Sequence, residues 1–141
     1  MGRARETAER LIEIYDRHDP TQVMGAYAPQ ARISRPGAPE LDRQALSQFF
    51  GGFVQAMPNF RHRMLNVVEE DNRVGFECEV VGTFTGSLPT PNGPLPGNGS
   101  QVRFVHAQFL TIDDTGLIVE DRDYTDMAVL MGQMGLAPAA A

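Results

Sequence analysis

Cysteine is nearly absent from the sequence, which has Cys78 as its single thiol in 141 residues. One thiol excludes an internal disulfide, and no other residues around it have the spacing of a metal motif. Cys78 alternates with Val74, Phe76 and Val80, a pattern that indicates a small hydrophobic side chain buried in a strand. We therefore predict no metal site.

An excess of basic residues is also lacking, because 12 Lys+Arg stand against 18 Asp+Glu and the net charge is −6. Proteins that read nucleic acids usually carry a basic stripe. The short run RHR at residues 61–63 is too small to form one. We therefore predict that nucleic acid is not a partner.

Long hydrophobic runs are missing as well. No stretch approaches the roughly 20 apolar residues that span a bilayer, and the charged start MGRARETAERL lacks the apolar core of a secretory signal. These features predict no membrane partner and a cytoplasmic location. With 42% hydrophobic and 21% charged residues, the chain is typical of one folded domain, which we place at residues 1–136, followed by a mobile Ala/Pro tail at 137–141.

The first part of the chain has helical periodicity. One apolar stripe runs from Ala4 to Tyr15, and a second helix starts after Asp19, with Pro20 in its first position. A short extended piece with a Pro/Gly turn follows at residues 31–40. A third helix begins after Asp42 and ends at Pro58, with an apolar face that includes Phe53.

The second part of the chain changes to a period of two. Residues 62–70, 73–84, 101–112 and 117–125 are predicted strands, residues 85–100 a Pro/Gly-rich loop, and residues 126–136 a last helix capped by Asp126. Helices followed by strands favour an α+β fold. We expect a curved antiparallel sheet, covered on one face by the N-terminal helices, with a cone-shaped pocket between the two.

The last predicted strand, in GLIVEDRDYTD (residues 116–126), is unusually acidic. Alternation places Asp121 and Asp123 on one face of it. The turn DDTG pairs this strand with the preceding one, so that Phe104, His106 and Gln108 fall on the same face. The opposite orientation, with Arg122 and Tyr124 inward, remains open at this point.

This arrangement predicts acid/base chemistry if the carboxylates point into the pocket. Desolvation and a second carboxylate raise the pKa of a buried acid, which makes proton transfer near neutral pH possible. His106 could donate to a developing oxyanion or carry the proton. Elsewhere, Tyr27 is interpreted as a packing residue, and Ser34 and Arg35 as possible rim residues.

Three stretches now resemble the SnoaL-like polyketide cyclases of the nuclear transport factor 2-like superfamily. They are YAPQARISRPGAPELDRQALSQFFGGFVQAMPNF, then GTFTGSLP followed by PGNGSQVRF, and finally DDTGLIVEDRDYTDMAVLMGQMGL. Each is weak alone, and the evidence is their order and spacing. The resemblance implies a cystatin-like α+β barrel and an intramolecular aldol cyclisation without metal or organic cofactor.

The resemblance also implies roles for single residues. Asp123 matches the acid/base carboxylate best and Asp121 is second, with His106 as a further catalytic residue. Gln108, Tyr15, Phe53 and Phe104 are the predicted substrate-binding residues for a small carbonyl compound. Arg122 replaces an aromatic residue that is common in the family's acidic strand. A hydrolase of the epoxide-hydrolase type and a non-catalytic binding module remain alternatives.

The outer face of the predicted sheet carries apolar residues such as Val105 and Phe109. Apolar side chains on an exposed sheet face require cover. A second copy of the chain would supply it, so we predict a homodimer.

Overall fold

Residues 2–136, which the computed structural model describes, form four helices: α1 (Arg3–Asp16), α2 (Pro20–Gly25), α3 (Arg43–Ala56) and α4 (Met127–Gln133). The predicted caps Asp19, Asp42 and Asp126 are confirmed, because each side chain accepts a hydrogen bond from a backbone N–H in the first turn of its helix. The predicted tail at 137–141 lies outside the described residues.

Seven strands complete this part of the chain: β1 (Tyr27–Ser34), β2 (Arg61–Glu70), β3 (Arg73–Phe84), β4 (Ser87–Leu88), β5 (Leu95–Pro96), β6 (Ser100–Ile112) and β7 (Ile118–Thr125). Five of them form one curved sheet in the order β1-β7-β6-β3-β2. Strands β2, β3, β6 and β7 are antiparallel neighbours. The predicted α+β fold with a curved antiparallel sheet is therefore confirmed.

Strand β1 departs from the prediction. It begins at Tyr27, although residues 18–28 were predicted to belong to the second helix. It pairs with β7 in parallel, with Ile33 opposite Asp121. A parallel pair has no hairpin turn that the sequence could reveal. The added strand brings Tyr27 beside the acidic strand.

The helices cover the concave face of the sheet. Ala4, Ala8, Leu11 and Tyr15 of α1 are all buried, as their spacing predicted, and α1 packs mainly on β2. Leu46 and Phe50 of α3 join the same core. Burial of these apolar faces provides the main drive for the helices to dock. The docking leaves a hollow above β6 and β7.

The loop that connects β3 and β6 packs on α3. Its two short strands, β4 and β5, pair with each other, and the Gly86 N–H donates to the carbonyl oxygen of Ala56 at 3.0 Å. Among α1 to α4, the helices of residues 2–136, there is no candidate for a membrane-spanning helix.

Candidate active site

The hollow between the helices and the sheet is a cavity of about 260 Å³. Most of its wall is apolar, and it includes Phe53 and Phe104 beside the ring of Tyr15. These three are among the predicted substrate-binding residues. Their place in the wall is compatible with that prediction, and the role itself stays a prediction. Polar groups enter the wall at a few points, as in most small-molecule pockets.

The pairing of β6 with β7 decides which acidic residues face this hollow. Gln108 lies opposite Asp123, and Leu110 lies opposite Asp121. Asp121 is 1% exposed, whereas Tyr124 is 46% exposed on the outer face. The odd-numbered carboxylates therefore point inward, and the alternative with Arg122 and Tyr124 filling the hollow is excluded.

Asp121 is the deeper of the two carboxylates. Its Oδ2 accepts a hydrogen bond from the Tyr27 hydroxyl at 2.5 Å and another from Gln108 Nε2 at 2.9 Å. The pKa of Asp121 is raised to about 7, chiefly by burial; the charge of Asp123 adds to the rise, and the two hydrogen bonds oppose it. Near neutral pH this carboxyl group is partly protonated.

Gln108 links that carboxyl group to the cavity. Its Nε2 also donates to the Tyr15 hydroxyl oxygen at 3.2 Å. Gln108 and Asp121 themselves lie beneath the wall, and within residues 2–136 Gln108 Oε1 and Asp121 Oδ1 are buried without a hydrogen-bond partner. Burial and the charge of Asp121 raise the pKa of Tyr15. Tyr15, which lines the cavity, therefore keeps its hydroxyl group neutral.

Asp123 is the carboxylate in the cavity wall. One of its oxygens accepts a hydrogen bond from the Thr125 hydroxyl at 2.8 Å. The other lies 3.8 Å from His106 Nδ1, which is beyond hydrogen-bond distance. Burial lowers the pKa of His106, with Asp123 opposing this and His62 adding to it. The structure thus places a carboxylate and a neutral imidazole side by side at the cavity.

Two further residues of the site were missed or misread. Tyr27, interpreted as packing, is buried and also donates to Asp121. His62, treated as part of a basic run, lines the cavity and contacts Asp16. Alternation along β2 was the available signal for His62, because its neighbours Arg61 and Arg63 are both exposed.

Arg35, considered a possible rim residue, lies in the cavity wall. Its guanidinium carbon is 4.1 Å from the centre of the Phe49 ring, a cation–π contact. Ser34 is not part of the wall. In the part of the chain that the structure describes, no group of three or more His, Cys, Asp or Glu side chains could hold a metal ion.

Comparison with known families gives a match to the SnoaL-like domain model over residues 8–121. No curated protein sequence matches the chain.

Solved structures share the fold. IdmH from Streptomyces antibioticus, a proposed polyketide cyclase, is 20% identical, with a TM-score of 0.78 over 94% of this chain and 98% of that one. AclR from Streptomyces galilaeus, a proposed hydroxylase, is also 20% identical, with a TM-score of 0.77 over 98% and 84%. An LEH-like epoxide hydrolase from M. tuberculosis is 15% identical, with a TM-score of 0.68 over 94% and 89%.

Proposed function

Since this chain belongs to the SnoaL-like family, we propose that it is a cofactor-independent enzyme of the cyclase or isomerase type. Its substrate class is a polyketide-like or other small carbonyl compound, and Asp123 is the acid/base. The observation that carries the proposal is the Asp123 carboxylate in the wall of a largely apolar cavity. A carboxylate in such surroundings is suited to proton transfer at carbon.

The sequence left open which of the two aspartates acts, and the geometry favours Asp123. Asp123 meets the cavity directly, whereas Asp121 lies below the wall and is bonded to Tyr27 and Gln108. Asp121 and Gln108 are better suited to hold Tyr15 in position than to touch a substrate. His106, with its Nδ1 3.8 Å from Asp123, is a candidate for carrying protons to and from Asp123.

The proposed reaction starts when Asp123 removes a proton from the carbon next to a carbonyl group. The electron pair of that C–H bond forms an enolate, whose oxygen can accept a hydrogen bond from the neutral Tyr15 hydroxyl. The sequence contains 12 arginine residues and no lysine. Activation of the carbonyl as a lysine Schiff base is therefore not open to this chain.

Proton exchange on a bicyclic ketone tests this proposal. β-Tetralone would be incubated with the protein in D₂O, and loss of its α-proton signals followed by NMR. We expect Asp123→Asn to slow the exchange by roughly a hundredfold or more, as for the loss of a general base. Asp126→Asn is the matched control, because asparagine caps a helix as well as aspartate and Asp126 is outside the cavity wall.

The proposal would be contradicted if the wild-type protein exchanged the α-protons no faster than buffer alone. It would also be contradicted if Asp123→Asn exchanged them as fast as the wild-type protein. Binding of β-tetralone without exchange would favour the binding module instead.

The hydrolase alternative makes a different demand on the site. It requires the aspartate pair and Gln108 to hold a water, yet Gln108 and Asp121 are bonded to each other beneath the wall. The fold shared with an epoxide hydrolase supports the alternative only at the level of the scaffold. Incorporation of ¹⁸O from labelled water into the diol formed from styrene oxide would favour the hydrolase.

We also propose that the chain forms a homodimer through the outer face of the sheet. Val68, Val105, Phe109 and Tyr124 are each 46–63% exposed there. The Phe109 and Tyr124 rings are 6.1 Å apart. Apolar side chains grouped in this way on an open face favour a partner surface. Sedimentation would test this, with Phe109→Glu expected to shift a dimer towards monomer. The cytoplasmic location remains a prediction.

A further inference from the structure

A second histidine of the cavity is held by its own carboxylate. His62 lies near the start of β2, lines the cavity, and has a side chain that is 9% exposed. Its Nδ1 is 2.9 Å from Oδ1 of Asp16, the last residue of α1. The His62 backbone N–H also donates to both oxygens of Asp16, at 3.0 and 3.2 Å. Asp16 therefore fixes both the backbone and the ring of His62.

This contact determines which ring nitrogen can exchange a proton. Since the Nδ1 hydrogen points at the Asp16 carboxylate, Nε2 is the atom left to gain or lose a proton. Nothing within residues 2–136 forms a hydrogen bond to Nε2 of His62. A substrate in the cavity is therefore its available partner.

His62 and Asp123 belong to one row of four groups. The His62 ring is 6.0 Å from the His106 ring, and His106 Nδ1 is 3.8 Å from Asp123. The order is Asp16, His62, His106, Asp123, with a carboxylate at each end and two imidazoles between. Tyr15, whose ring centre is 5.1 Å from that of His62, is another titratable group beside it.

An aldol ring closure needs proton transfer at two positions. One group removes a proton from the attacking carbon, and another supplies a proton to the carbonyl oxygen that is attacked. These atoms lie on different parts of the substrate, so two separate groups in one cavity suit the reaction.

We propose that His62, positioned by Asp16, is the second acid/base of this cavity and protonates the carbonyl oxygen during ring closure. The inference rests on the proposed function. Asp123 takes the α-proton, and the electron pair of that C–H bond forms the new carbon–carbon bond. The π pair of the carbonyl moves to its oxygen, which takes the proton from His62 Nε2. Exchange with solvent returns Asp123 and His62 to their starting states.

The competing interpretation is structural, because the same contacts tie the end of α1 to the edge of the sheet. Two probes separate the roles. Exchange of β-tetralone α-protons needs a base at carbon. Cleavage of methodol, a β-hydroxyketone, is an aldol reaction in reverse: one group takes the hydroxyl proton and another protonates the departing enolate carbon. The products are acetone and a fluorescent methoxynaphthaldehyde.

His62→Asn is the informative variant, because its amide nitrogen can replace Nδ1 as donor to Asp16 while no group replaces Nε2. We expect methodol cleavage to fall by roughly a hundredfold, the usual cost of losing a general acid or base. β-Tetralone exchange should stay within about threefold of wild type, which also shows that the variant is folded. The control is His18→Asn, because His18 itself is not part of the cavity wall and its φ of 60° is one that asparagine tolerates. His18 Nε2 lies 2.8 Å from the carbonyl oxygen of Phe60.

Asp16→Asn adds a readout that a structural tie would not move. A neutral amide stabilises an imidazolium less than a carboxylate does, so the pH dependence of methodol cleavage should shift to lower pH.

Three outcomes would overturn the assignment of His62. His62→Asn could lose both reactions equally, or it could lose neither. The third is a wild-type protein that exchanges β-tetralone protons without cleaving methodol. Unchanged exchange in Asp123→Asn would instead overturn the proposed function.

Discussion

The buried carboxyl group of Asp121 makes the stability of this protein depend on pH in an unusual direction. Its pKa is raised from 3.8 to about 7, chiefly because of burial. Between these values the folded protein keeps a proton that the unfolded chain has released. The contribution of Asp121 to stability therefore falls as the pH rises from about 4 to about 7, and it levels off above that.

The size of the effect follows from the shift. About three pKa units at 1.36 kcal/mol each correspond to about 4 kcal/mol. Asp121→Asn removes the titrating group. The difference in unfolding free energy, variant minus wild type, should therefore increase by about 4 kcal/mol from pH 4 to pH 8. In a domain of this size that is a relative change in melting temperature on the order of 10 °C.

Urea unfolding of both proteins at a series of pH values measures this difference, and the comparison cancels groups that titrate alike in the two. Asp113→Asn is a control of opposite sign. Hydrogen bonding to the side chain of Thr115 and the backbone of Leu117 lowers the pKa of Asp113. The stability that Asp113 provides is therefore lost only as the pH falls below about 4. A difference for Asp121→Asn that stays flat between pH 4 and pH 8 would refute the burial of an ionisable carboxyl group at this position.

Three other outcomes are expected from the same contacts. Tyr27→Phe removes a donor to the Asp121 carboxylate. This should move the pH-dependent loss of stability to higher pH and lower the unfolding free energy by about 1–3 kcal/mol at pH 8. An unchanged urea profile would count against this hydrogen bond. Burial raises the pKa of Cys78 to about 12, so Ellman's reagent should label this thiol only after unfolding. Rapid labelling of the folded protein would contradict the burial of Cys78. A Cβ at Gly86 would overlap the backbone oxygen of Gln55, so Gly86→Ala should lower stability by on the order of 3 kcal/mol in thermal melts. Gly25→Ala provides the comparison, because no atom lies within 4 Å of a Cβ added at Gly25.

Local signals in the sequence predicted much of the fold. The strand at residues 73–84 was predicted with the bounds that the structure gives it, because alternation and a tight turn are both encoded within a few residues. The three aspartate caps are equally local. Parity placed Asp121 and Asp123 on one face with His106 and Gln108 once the hairpin was identified, and the structure shows that this face points inward.

The rest of the site depends on contacts between distant parts of the chain. Tyr27 reaches Asp121 across 94 positions through a parallel strand pair that no turn announces. Asp16 and His62 are 46 positions apart, and each looks ordinary in its own segment. The irregular pairing of β1 between Tyr27 and Arg32 further obscured its period of two.

The last turn of α1 carries Tyr15 and Asp16 side by side, one bonded to Gln108 and the other to His62. Neighbouring residues of one helix thus support two separate parts of the cavity. Exchanging this helix alone for that of a relative would alter both polar supports in a single step, while the sheet kept its own carboxylates. Helix exchange is therefore an economical way to redirect what the pocket does.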